Sequence, residues 1–93
     1  MLRIAVLTQT SEEVVLGLQG SVEHREVPFL EQEGQAWRNR CVRLRVDLDQ
    51  VRFIDGEGLD LLERWSAAGM LLCGGSLFVR TLLQGRGLSP EPG

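Results

Sequence analysis

The sequence has one histidine, His24, and two cysteines, Cys41 and Cys73, so it is poor in the side chains that most often bind transition metals or serve as activated nucleophiles. His24 lies among Glu23, Arg25 and Glu26 with no second histidine or cysteine nearby, and reads as a solvated loop residue. No Ser-His-Asp, Cys-His or metal-ligand set can be assembled, so an enzyme is not expected and no cofactor is implied. Gly74-Gly75 lacks the lysine and the glycine spacing of a phosphate-binding loop. Positive charge is not in excess: the formal net charge is -3, which repels phosphate backbones and argues against nucleic acid as a partner. No apolar run approaches the length of about 20 residues that a membrane helix needs. Met1 to Leu7 turns polar too soon for a secretory signal. A cytoplasmic protein is therefore expected, with Cys41 and Cys73 as small, reduced thiols at the edges of apolar segments.

What is present suits one small globular domain, since 93 residues cannot build two cores, and 43% hydrophobic with 25% charged residues is an ordinary balance. Leu2, Ile4 and Val6 alternate with Arg3 and Ala5, and Val14, Leu16 and Leu18 with Val15 and Gly17; period-two alternation predicts two strands. The polar stretch Thr8 to Glu13 between them predicts an antiparallel hairpin with a longer loop. Pro28, with Val27, Leu30, Gly34 and Trp37 at helical spacing, predicts an amphipathic helix from Val27 to Arg38. Gly34 implies either close packing or an earlier helix end.

The strand Val42 to Asp49 sets four aliphatic residues against four charged ones, so one sheet face must be wet and the helices must cover the other. Val51-Arg52-Phe53-Ile54 then leads to Asp55, an N-cap for a helix carrying Leu59, Leu61, Leu62, Trp65 and Ala68. Trp37 and Trp65 are both expected against the sheet. Gly69 ends that helix, Met70 to Cys73 is a short buried strand, and Gly74-Gly75 turns into a last helix with Phe78, Val79, Leu82 and Leu83. Residues 1–88 form the expected domain, and Ser89 to Gly93 a flexible tail with nothing to bury. The result is a two-layer α/β domain with a mixed four-stranded sheet and helices on one face.

Gly20-Ser21-Val22-Glu23 before the Pro28 helix, and Val46-Asp47-Leu48-Asp49-Gln50-Val51-Arg52-Phe53-Ile54-Asp55-Gly56-Glu57-Gly58-Leu59, resemble the STAS domain of anti-sigma factor antagonists. Phe53-Ile54-Asp55, Gly58-Leu59 and the closing Gly85-Arg86-Gly87-Leu88 carry the match. The resemblance implies a phosphorylatable serine or threonine directly after the aspartate, and here that place holds Gly56. Glu57 follows, a fixed negative charge where the helix macrodipole favours one. It reads either as a crude stand-in for phosphate, with less charge and fewer acceptor oxygens, or as a good first-turn residue. Glu23 matches an acidic residue that lies, in relatives, beside the phosphorylatable loop; its other reading is a solvated carboxylate. Phe29 lies off the helix stripe, either at an interface or at the core margin.

The function implied is a non-catalytic protein-interaction module of bacterial signalling and transcription regulation, lacking the phosphorylation switch. The surface implied is the loop from Gly20 to Glu26, Asp55, Gly56, Glu57 and Gly58, and the exposed side of the following helix. The protein partner implied is an anti-sigma factor or kinase-like protein. The alternative is an accessory subunit of a lipid-transport ABC system, whose relatives usually keep a threonine where Gly56 stands.

Overall fold

The computed structural model describes residues 2–40 and 43–92; Cys41 and Val42, with the expectations placed on them, lie outside that range. Its elements in chain order are β1 (Leu2–Gln9), β2 (Glu13–Val22), α1 (Val27–Arg38), β3 (Arg43–Ile54), α2 (Gly56–Ala67), β4 (Leu71–Cys73) and α3 (Leu77–Gln84). The aliphatic sets that alternate along the chain meet side by side. Val14 lies opposite Leu44 and Leu16 opposite Val46 in a parallel β2–β3 ladder, and Leu72 of β4 extends the row beside Val46. β1 runs antiparallel to β2, giving a mixed sheet in the order β1-β2-β3-β4.

Val27 and Leu30 of α1, Leu61, Leu62 and Trp65 of α2, and Val79 and Leu83 of α3 share one core cluster with the aliphatic residues of β2, β3 and β4. On the opposite face Glu13 sits 3.8 Å from Arg43 and 3.9 Å from Arg45, charges that no helix covers. This is the expected two-layer α/β fold.

Parallel pairing sets where the helices start. β2, β3 and β4 end at the same edge of the sheet, and each is followed by a helix, so the N-termini of α1, α2 and α3 gather at one pole.

Several expectations are corrected. The two segments read around Asp49 are one strand of 12 residues. Its buried residues alternate through Leu44, Val46 and Leu48 and then fall three apart at Val51 and Ile54, because the ladder to β2 shifts register between Asp47 and Gln50 and again between Val51 and Phe53. The hairpin loop is short, since β1 runs on to Gln9 and the Thr10 hydroxyl accepts from the backbone N–H groups of Glu12 and Glu13. A register shift between Val6 and Thr8 leaves Val6 and Leu7 exposed.

The described part of the expected tail, Ser89 to Pro92, does have something to bury. Pro90 is buried, Glu91 N–H donates to the Leu72 carbonyl at 2.9 Å, and the Glu91 carbonyl accepts from Gly74 N–H at 2.7 Å, so this segment runs beside β4. Trp37 is only half-buried, with the Arg40 guanidinium 4.8 Å from its ring centre. Trp65 is 6% exposed, as expected for its stripe. Helix α1 has the expected ends, and Gly34 is a site of close packing: a Cβ there would lie 2.8 Å from the Trp65 ring.

Candidate functional site

Asp55 leaves β3 in an extended conformation (φ -87, ψ -178), which turns its carboxylate back over the first turn of α2. Oδ1 accepts from Gly58 N–H at 2.8 Å, satisfying one of the orphan donors at the helix start. Oδ2 accepts from His24 N–H at 2.8 Å, and His24 Nδ1 lies 3.5 Å from the same oxygen. One carboxylate thus fastens the start of α2 to the loop that follows β2. Burial pushes the Asp55 carboxyl up, but the bonds from Gly58 and His24 outweigh it and hold the group below its ordinary value.

The approach is close because position 58 has no side chain. A Cβ on Gly58 would collide with the Val22 carbonyl and come within 2.9 Å of Ile54 Cγ2, so only glycine lets the helix turn abut the end of β2. Asp55 N–H also donates to the Val22 carbonyl, at 3.1 Å. Glu23 follows Val22 directly, in a tight turn where its carbonyl accepts from Glu26 N–H. Glu23, Asp55, Gly56, Glu57 and Gly58 therefore come together at the pole.

Their surroundings differ. Glu57 is exposed in the first turn of α2 and has no ion-pair partner among the described residues, whereas Glu23 is half-buried. Gly56 is exposed, and the nearest atom to a Cβ there would be Arg86 Nη2 at 4.0 Å. Gly58 is buried and structural. His24 is exposed, as the sequence suggested, but its backbone is part of the latch.

Sequence reasoning missed the contacts of Arg86. Its Nη1 lies 2.6 Å from Asp60 Oδ1 and 3.3 Å from Glu63 Oε1, and Nη2 donates to the Gly56 carbonyl at 3.4 Å. The hydrogen bonds that Arg86 donates to the two carboxylates raise the guanidinium pKa above its ordinary value, and the pairing neutralises part of the acidic face of α2. Nothing in local spacing joins Arg86 to Gly56; only the fold does, by bringing the turn after α3 beside the start of α2.

The net result is a rim with an exposed Glu57 and a half-buried Glu23 beside a helix N-terminus. Among the described residues no group of three or more histidine, cysteine, aspartate or glutamate side chains could hold a metal. Cys73 is buried, its Sγ is 3.5 Å from the Val46 carbonyl, and burial first, then Asp47, pushes its thiol up, so it stays protonated at neutral pH. Among the described residues no helix is long and apolar enough to cross a membrane.

A search of curated proteins finds no match. A family model described as "Mlab, STAS domain" matches residues 5–73. Among solved structures, the chain is similar to the anti-sigma factor antagonist SpoIIAA in its unphosphorylated form, at 21% identity and a TM-score of 0.67, covering 98% of this chain and 87% of that one. It is similar also to the Bacillus cell fate determinant SpoIIAA in the phosphorylated form, at 21% identity and a TM-score of 0.69, covering 98% and 89%. An uncharacterized protein with a SpoIIAA-like fold from Shewanella loihica matches at 7% identity and a TM-score of 0.60, covering 98% and 82%. At these identities the likeness in structure establishes the fold. The family match spans β1 to β4 and takes in the Asp55 latch, and the chain belongs to the STAS-domain family.

Proposed function

We propose that this protein is a non-catalytic interaction module that resembles the anti-sigma factor antagonists but works without their phosphorylation switch. The observation that carries the reading is the Asp55 latch, which holds the Glu23 turn and the α2 N-terminus in one preformed surface. Such a surface needs no ordering on binding and so favours a protein partner that reads shape and charge. Glu23, Asp55, Gly56, Glu57 and Gly58 make up the contact region, with Glu57 supplying a fixed charge one residue after the place, held here by Gly56, where the switched relatives carry a modifiable hydroxyl. The partner is an anti-sigma factor or a kinase-like protein of bacterial signalling, and the protein acts in the cytoplasm.

A second reading has a specific observation behind it. The matched family description names Mlab rather than an anti-sigma factor antagonist, which supports an accessory role in a lipid-transport ABC system. Affinity purification from the native cell followed by mass spectrometry separates the two. Recovery of a kinase-like regulator supports the first reading, and recovery of a transport ATPase or permease replaces it with the second.

A further inference from the structure

All three phenylalanines of the chain, Phe29, Phe53 and Phe78, are substantially exposed, and all three fall at the pole where the parallel strands end and the helices begin. Aromatic side chains seldom stay in water without a reason, since each carries about 150–250 Å² of surface whose burial is favourable. Two of them form a patch. The rings of Phe53, at the end of β3, and Phe78, in the first turn of α3, are stacked with centroids 6.3 Å apart. They are 40% and 53% exposed, and Leu77 beside Phe78 is 83% exposed, the most exposed of the large apolar side chains among the described residues. The Asp55 carboxylate begins two residues after Phe53, so the patch continues the latched surface toward α3.

A cleft of about 570 Å³ is lined in part by Arg52 and Ser76, the residues immediately before Phe53 and Leu77, and by Asp49, whose Oδ1 is already engaged by Gly75 N–H. Arg52 is exposed and Arg80, one turn into α3, is half-buried; neither has an ion-pair partner among the described residues. The Glu23 and Glu57 carboxylates, in the turn before α1 and at the start of α2, and the Arg52 and Arg80 guanidinium groups, before Phe53 and in α3, have no ion-pair partner among the described residues.

We infer that Phe53, Leu77 and Phe78 are the apolar anchor of the partner-binding surface, and that the partner segment seated there presents aliphatic or aromatic side chains next to carboxylates. This rests on the interaction-module reading above and adds the second half of the surface and its chemistry. The patch amounts to a few hundred Å², the scale of functional patches on monomers. Charge complementarity selects the occupant: Arg52 and Arg80, with no ion-pair partner among the described residues, call for carboxylates beside the apolar side chains of an acidic segment of the partner protein.

The test uses the full chain with the photo-reactive residue p-benzoylphenylalanine introduced in place of Phe78, Glu57 or, as a control away from the pole, Leu7. Crosslinking in the native cell should join positions 78 and 57 to the same protein and position 7 to neither. Dissociation constants for that protein are then measured with Phe53→Ser, Phe78→Ser, Arg52→Gln and Glu57→Ser, each first checked for an unchanged melting point. The phenylalanine variants should weaken binding by at least about thirty-fold, as anchor residues do, and Arg52→Gln should reduce its salt dependence. If Glu57→Ser weakens binding and both phenylalanine variants do not, the module reading stands and the anchor is refuted. The reverse pattern supports the anchor and removes Glu57 from the interface. Wild-type affinity in all four variants overturns both. A crosslink from position 78 to a second copy of this chain overturns the assignment of the occupant.

Discussion

Asp55 is the residue on which the site depends, because its two oxygens serve two elements at once. Asp55→Ala removes both bonds and should cost about 2 to 3 kcal/mol in denaturant unfolding, more than an isolated cap. The pH dependence has a definite sign. The folded carboxyl titrates below its unfolded value, so its contribution is complete above the unfolded value and is lost as pH falls through the folded one. Unfolding curves taken between neutral pH and about pH 3 should therefore show an acid loss of stability that is smaller in Asp55→Asn. Equal acid sensitivity in the two proteins would mean that the latch carries no charge-dependent strength.

The two glycines of α2 separate in the same way. Alanine ordinarily stabilises a helix over glycine by about 1 kcal/mol. At Gly58, where the Val22 carbonyl occupies the space, Gly58→Ala should instead destabilise by about 1 to 3 kcal/mol. Gly56 faces open solvent, so Gly56→Ser should change stability by no more than about 0.5 kcal/mol. That variant also tests the missing switch. Intact-mass measurement after incubation with a family kinase and ATP should show a phosphate on Gly56→Ser and none on the Asp55 to Gly58 segment of the wild type; a wild-type phosphate mapped to Ser21 or Ser66 would show that regulation has moved elsewhere.

Among the elements, the helices were the most legible in sequence. α1 begins at Val27 and ends at Arg38 as its periodicity and Pro28 indicate, and Asp55 caps α2 as its place before the apolar stripe indicates. Less legible was anything that depends on a neighbour. The register shifts that make β3 one strand arise from its pairing with β2, so alternation read along β3 alone breaks at Asp49-Gln50. Asp49 itself looks like a solvent-facing charge, yet its Oδ1 accepts from Gly75 N–H at 2.8 Å and so ties β3 to the turn entering α3. The two tryptophans occupy similar positions in sequence but not in the structure, because Gly34 makes room for Trp65 while Trp37 lies at the open end of α1. Trp65→Ala should cost about 3 to 5 kcal/mol, and Trp37→Ala clearly less. Equal losses in thermal unfolding would show that the helix faces are assigned wrongly.

At the scale of the whole molecule, parallel β2, β3 and β4 gather three helix starts at one pole, and residues far apart in the chain become one surface. The acidic half of that surface was legible, since Glu23, Asp55 and Glu57 stand in motifs that carry a resemblance. The aromatic half was not: Phe53 reads as a strand residue and Phe78 as part of an apolar stripe, and only the packing of α3 beside the end of β3 stacks their rings outside the core. The central claim is that the glutamates of the latched surface contact a protein partner. The most direct measurement pairs thermal unfolding with the partner's dissociation constant for Glu57→Ser, Glu23→Ala and Arg43→Ala, the last on the helix-free face beside Glu13. The account predicts that both glutamate variants melt close to wild type yet lose about 2 to 5 kcal/mol of binding, while Arg43→Ala binds normally. Glutamate variants that bind as tightly as wild type while Arg43→Ala weakens the complex would place recognition on the open sheet face and contradict it.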